Sequence, residues 1–219
     1  MTEQQPKRRG SFWRELPILL GVALLVAILV RGFVLQTFYI PSPSMEQTLE
    51  LNDRVLVNKL VYDFRDPRRG EIVVFEAPME WRGNPRDKDF IKRVIAIGGD
   101  HLMCCDPQGR LVINGEPLDE PYLYSAHGVV DAAATTTFEV QVPEGRLWVM
   151  GDHRSSSGDS LERFRITGDA HRATIDVDDV IGRAFLLFWP PGRATPLSVP
   201  DTFDSVPDPS GQPMAPIPD

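Results

Sequence analysis

The chain has 219 residues, 42% of them apolar and 25% charged, which suits one compact domain with appendages. The net charge of −8 is unevenly placed: residues 1–35 carry five basic and two acidic side chains, a local +3, leaving −11 for the other 184. An acidic body excludes nucleic acid as the main partner, and only two cysteines, adjacent at Cys104 and Cys105, exclude a disulfide framework and a four-cysteine zinc site.

Residues 1–15 form a basic start with Lys7, Arg8, Arg9 and Arg14. Leu16 to Val30 is free of charge, and the apolar run resumes after Arg31 as Gly32-Phe-Val-Leu35. Fifteen helical residues span only about 22 Å, so the run predicts a membrane anchor over 16–35 with Arg31 snorkelling to the headgroups. No small-x-small exit follows, which argues against a cleaved signal. The positive-inside rule places the N-terminus in the cytoplasm and everything after about residue 36 outside.

Downstream the pattern is short apolar alternations separated by turns. Strands are predicted at Arg54–Leu60, Glu71–Phe75, Phe90–Ile97, Arg110–Ile113, Phe138–Val142, Arg146–Met150 and Val180–Trp189. Asn114-Gly115 is a hairpin signal. Long amphipathic helices are not evident, so the extracytoplasmic domain, residues 36–195, is expected to be mainly β, an antiparallel sheet behind one transmembrane helix. Tyr124–Thr137, rich in Ala, Gly and Thr, reads as a flexible loop, and residues 196–219, with seven prolines, as a disordered acidic tail. Adjacent Cα atoms lie about 3.8 Å apart across a trans peptide, closer than most disulfides allow, so Cys104 and Cys105 are expected as free thiols, with an intermolecular bridge or a strained vicinal disulfide as the alternatives.

Three stretches carry candidate chemistry. Ser42-Pro-Ser44-Met45 offers two hydroxyls just beyond the anchor. A serine attacks only when a base takes its proton. None of the four histidines, His101, His127, His153 and His171, accompanies a Gly-x-Ser-x-Gly elbow, and no His-Glu-x-x-His pair is present for zinc. The remaining base is a lysine whose pKa is lowered by burial, by about 3 units from its usual ~10.4. Lys92, inside Phe90-Ile-Lys-Arg-Val-Ile95, is the candidate, with Lys59 as a second; alternation puts Lys92 on the face of Phe90 and Val94. An outward-facing strand lysine is the plain alternative. The third stretch, Met150 to Ser160, is dense in small and charged residues and suits a tight hydrogen-bonded loop, catalytic or structural.

These stretches, in this order behind one anchor, resemble the type I signal peptidases, membrane-bound Ser/Lys endopeptidases. The likeness covers about residues 12–190. Ser-x-Ser-Met-x-x-Thr-Leu at 42–49 is similar to the nucleophile box, Asp53 to Lys59 to the second box, Phe90 to Asp100 to the lysine box, and Gly151 to Ser160 to the last box. The resemblance implies Ser44 as nucleophile and Lys92 as general base. It implies Ser42 as an oxyanion donor beside the Ser44 N–H, and Ser157 as the group holding the lysine amine. Asp152, Arg154 and Asp159 would brace the loop. Phe38, Ile40, Met45, Leu49, Phe90 and Ile91 are expected to wall shallow pockets for small residues at substrate positions −3 and −1. Implied partners are preproteins with signal peptides and membrane lipid, with no metal or other cofactor. Departures are Pro43 for Gly, Gln47 for Pro, Gly98 for Pro, His153 for Asn, Ser155 for Asp, and Leu161 for Arg, whose charge Arg163 would replace. The rival readings are a self-cleaving Ser/Lys repressor, which lacks its DNA-binding front end here, and a non-enzymatic protein, either a membrane-tethered β domain that binds a partner or an inactive relative of the signal peptidases.

Overall fold

The computed structural model describes residues 12–29 and 34–209 and, within the N-terminal helix, the side chains of 15–25. Helix α1 (Phe12–Leu29) leaves Ile18, Leu19, Leu20, Leu24 and Leu25 each more than half exposed. Among the described residues no helix is long and apolar enough to cross a membrane. The anchor expected over 16–35 falls partly outside the described residues, as do the basic start at 1–11 and the last ten residues.

In chain order the strands are β1 (Leu35–Tyr39), β2 (Arg54–Asn58), β3 (Ile72–Glu76), β4 (Asp89–Ile97), β5 (His101–Cys104), β6 (Leu111–Ile113) and β7 (Glu116–Pro117). The short hairpin β8 (Ser125–Ala126) and β9 (Val129–Val130) precedes β10 (Phe138–Gln141) and β11 (Arg146–Met150). Helices α2 (Ser160–Thr167) and α3 (Ala170–Ala173) lead to β12 (Ile175–Asp176), β13 (Val180–Trp189) and β14 (Thr195–Pro196).

The main sheet runs β1-β2-β13-β3-β4-β11-β12, with β14 added to β13; a second sheet runs β10-β5-β6-β7. The pairings are antiparallel, as the turn-broken alternations predict. β3 is apolar on both faces because both are covered: Ile72 and Val74 join a core with Ile40, Met45, Leu49 and Ile91, while Val73 and Phe75 join one with Trp81, Val94 and Leu147. A third core lies under the second sheet around Leu102, Ile113, Trp148 and Leu161. Lys92 and Arg93 on β4 are therefore buried, at 4% and 2% exposure, not outward-facing.

Four expectations are corrected. The segment 124–137 is ordered: it holds the β8–β9 hairpin, turned at His127 (φ 53°) and Gly128 (φ 81°), and it buries Ala133 and Ala134. Both turn residues have the positive φ that a tight hairpin needs. The tail packs as far as residue 209, because Phe203 and Val206 insert into the third core and Phe203 stacks on Tyr122. Cys104 and Cys105 form a disulfide, their Cα atoms brought to 3.0 Å by a cis peptide rather than standing at the trans spacing. Helix α2 was not expected, although its ends are marked: Asp159 caps it by accepting the Leu161 N–H, and Gly168 closes it at φ 65°.

Candidate active site

Ser44 sits in a single 3₁₀ turn, Pro43–Met45, that leaves β1 and is started by a proline whose fixed φ suits that position. As the second residue of the turn, its N–H has no acceptor within it, so this donor can face a ligand. Met45 and Leu49 are wholly buried and pin the turn to the core. Gln47 holds φ 83°, a conformation closed to proline.

The turn is clasped by the loop after β11. The His153 N–H donates to the Ser44 carbonyl at 3.1 Å, and Thr48 Oγ1 donates to Asp152 Oδ2 at 2.5 Å. Gly151 is needed where the two segments meet. A Cβ there would collide with the Ser44 carbonyl oxygen and come within 2.8 Å of Ser157 Cβ.

Lys92 Nζ donates to Ser44 Oγ at 2.6 Å and to its neighbour's carbonyl, Ile91 O, at 3.0 Å. Burial lowers the Lys92 pKa to about 8, against the opposing pull of the Asp159 and Asp152 carboxylates. At pH 7 that leaves roughly a tenth of the amine neutral and able to accept a proton. The adjacent Arg93 faces the other way and pairs bidentately with Asp152 at 2.9 and 2.6 Å. Burial pushes the Asp159 carboxyl up, while the Ser157 hydroxyl alongside, the Gly151 N–H and Lys92 act in the other direction.

The loop residues named from sequence each have structural partners. Asp152 joins Arg93 to Thr48. Arg154 donates to the Gly151 and Ala133 carbonyls and pairs with Glu120 at 2.5 Å. Asp159 accepts the Gly151 N–H at 3.0 Å while capping α2. Arg163 does not replace the missing charge at position 161; its guanidinium donates to Trp81 O at 2.8 Å. Ser157 makes no hydrogen bond to Lys92, and its hydroxyl oxygen is buried without a partner of good geometry. Ser42 Oγ lies 3.4 Å from Ser44 Oγ, long for an O–H···O bond, so the hydroxyl is able to turn toward a substrate oxygen.

A cleft of about 500 Å³ opens over Ser44 and Lys92. Of the predicted wall residues, Phe38, Ile40, Phe90 and Ile91 line it. Met45 and Leu49 do not: they point into the core, a choice of side that local sequence does not reveal. Val74 and Trp81 line the cleft and were missed, since they lie outside the motif stretches. Lys59 is not among the lining residues. Among the described residues no cluster of three or more His, Cys, Asp or Glu is placed to hold a metal.

The family profile for signal peptidase, peptidase S26, matches residues 13–189. A probable signal peptidase I of Mycobacterium leprae is 35% identical, the match covering 86% of this chain and 80% of that protein. Signal peptidase I of Mycobacterium tuberculosis is also 35% identical, over 87% of this chain and 77% of its own length. That of Bacillus caldolyticus is 32% identical over 87% and 96%. A solved signal peptidase I of Enterococcus faecalis is 28% identical, with a TM-score of 0.40 over 54% of this chain and 97% of the solved one. With a buried serine–lysine pair under an open cleft and a family profile spanning most of its length, this chain belongs to the signal peptidase family, peptidase S26.

Proposed function

We propose that this chain removes signal peptides from secreted preproteins with Ser44 as nucleophile and Lys92 as general base. The observation that carries the mechanism is the 2.6 Å contact between Ser44 Oγ and a lysine amine whose pKa burial lowers to about 8. Neutral Lys92 takes the Ser44 proton as Oγ attacks the scissile carbonyl carbon. The Ser44 N–H and the Ser42 hydroxyl receive the developing oxyanion. Protonated Lys92 then gives its proton to the leaving amine, which departs as the new N-terminus. Water, deprotonated by the same lysine, attacks the acyl-enzyme, releases the signal peptide and regenerates Ser44.

The pockets that select small side chains at −1 and −3 are assigned to the Phe38, Ile40, Phe90 and Ile91 walls. Ser157, Asp152, Arg154 and Asp159 act by positioning the loop against the Ser44 turn. The outward-facing leucines and isoleucine of α1 support a single anchor with lipid as partner, because a helix apolar on all sides needs an apolar medium. The basic residues before it put the N-terminus in the cytoplasm and the β domain outside. The test uses the full chain in detergent and a preprotein with an Ala-x-Ala junction, with the product's new N-terminus sequenced. Cleavage directly after the junction is expected; an intact preprotein at every pH from 6 to 10 contradicts the reading.

A further inference from the structure

The His153 side chain has no part in the mechanism above, yet it meets the nucleophile turn on both sides of Ser44. Its ring nitrogen Nδ1 lies 3.2 Å from Pro43 O and 2.9 Å from Glu46 Oε2. Both are acceptors, so Nδ1 bears a proton shared between them. The His153 N–H donates to the Ser44 carbonyl at 3.1 Å. The ring stacks on Tyr124 with centroids 3.8 Å apart and planes 25° apart, and the Tyr124 N–H donates to Asp152 O at 3.0 Å. The ring is therefore held on one face by Tyr124 and at one edge by the turn. His153 also stands where asparagine is usual in the family that the motif resembles.

The Pro43–Met45 turn needs such outside support. It is closed by the Glu46 N–H donating to Pro43 O at 3.0 Å, and a single 3₁₀ turn has poor hydrogen-bond geometry of its own. Pro43 O belongs to the peptide group whose other end is the Ser44 N–H. That group is planar and trans, so its C=O and N–H point in opposite directions and turn together. A donor that fixes Pro43 O therefore fixes the direction of the Ser44 N–H. Hydrogen bonds in a chain also polarise one another, which makes that N–H a stronger donor.

We infer that His153 is a positioning residue for the oxyanion site: its Nδ1–H holds Pro43 O, so that the Ser44 N–H at the opposite end of the same peptide group faces the developing oxyanion, with Glu46 and Tyr124 fixing the ring. This rests on the peptidase reading above. His153 acts through the peptide group and does not touch the substrate. The oxyanion develops on the way to the transition state, so the effect falls on kcat and leaves KM in place.

The experiment uses the full chain in detergent and a preprotein with an Ala-x-Ala junction, with kcat and KM measured separately. His153→Phe keeps a ring against Tyr124 and removes the Nδ1 donor, whereas His153→Asn offers a side-chain N–H in its place. Losing an oxyanion donor costs about 10²–10³-fold in rate, and losing its alignment costs part of that. His153→Phe is accordingly expected to lower kcat about tenfold with KM within about twofold of wild type, and His153→Asn to recover most of the loss. Should His153→Phe fail to fold, His153→Ala, which only removes atoms, is expected to show the same split. A kcat near wild type without the donor overturns the inference, and so does a loss that falls on KM or that His153→Asn does not recover. If wild type leaves the preprotein intact, the peptidase reading fails and takes the inference with it; if wild type cuts and the variants show no such split, only the inference fails.

Discussion

Lys92 and Arg93 are buried neighbours on one strand, and only Arg93 has a carboxylate at hydrogen-bonding distance. Arg93 is matched by both oxygens of Asp152, whereas the Lys92 amine meets the Ser44 hydroxyl and the Ile91 carbonyl, both neutral. Alternation along β4 separates the two cations onto opposite faces. One charge is neutralised and holds the loop in place; the other is left costly, which favours the neutral amine that the proposed base role needs.

With Lys92 as the proposed base, activity is expected to follow the neutral lysine. With the Lys92 pKa at about 8, kcat/KM rises close to tenfold per pH unit below that value and levels above it. A pH profile on one preprotein measures this. An acid limb centred below pH 7 contradicts it.

The same burial makes Lys92 a stability liability. Its folded pKa of about 8 lies below the unfolded value of ~10.4. Between those values the unfolded chain keeps a proton that the folded chain has lost, so stability rises with pH through that window. Below about pH 8 the whole penalty applies, at most about 3 kcal/mol. Lys92→Met therefore stabilises the fold at pH 7, by up to about 3 kcal/mol, and the gain shrinks toward zero by pH 10.5. Denaturant unfolding of both proteins at the two pH values tests this.

Gly151 lies against both the Ser44 carbonyl and the Ser157 side chain, with no room for a methyl group. Gly151→Ala displaces the Ser44 carbonyl and with it the hydroxyl aimed at Lys92. A displacement near 1 Å typically costs about 10²-fold in rate. The loss is expected mainly in kcat, with KM changed little, since the cleft walls on β1 and β4 stay in place. Steady-state kinetics separate the two.

At Gln47 the backbone holds φ 83°, where an L-residue costs about 1–2 kcal/mol. Gln47→Gly relieves that strain and stabilises by up to about 1 kcal/mol once the extra freedom of glycine in the unfolded chain is deducted. Gln47→Pro, although proline is usual here in the family that the motif resembles, destabilises by several kcal/mol unless the turn rebuilds. Thermal unfolding of the two variants gives opposite signs.

The candidate pair was legible in sequence where its signals are local: a hydroxyl beside a turn-setting proline and a lysine inside an apolar strand are short-range patterns, but that Lys92 rather than Lys59 meets Ser44, at 2.6 Å, is a matter of long-range packing. Strands such as Arg146–Met150 and Val180–Trp189 follow from apolar runs bounded by turns. What was missed depends on long-range packing. Met45 and Leu49 are wholly buried in the core that Phe38, on β1, only partly packs against, which leaves Phe38 free to line the cleft. Two apolar residues, Phe203 and Val206, dock a segment whose composition reads as disordered. Val74 and Trp81 reach the cleft from strands and turns with no motif of their own. Helix α2 hid behind the polar run before it, although Asp159 and Gly168 mark both its ends.

The central claim is that Ser44 and Lys92 together make the nucleophile, and the most direct measurement compares wild type, Ser44→Ala and Lys92→Ala on one preprotein with an Ala-x-Ala junction. Circular dichroism establishes that all three are folded. The account predicts cleavage by wild type and a loss of at least about 10³-fold in both variants, because residues that act as one unit fail together. A folded Lys92→Ala that still cuts at a rate near wild type contradicts it.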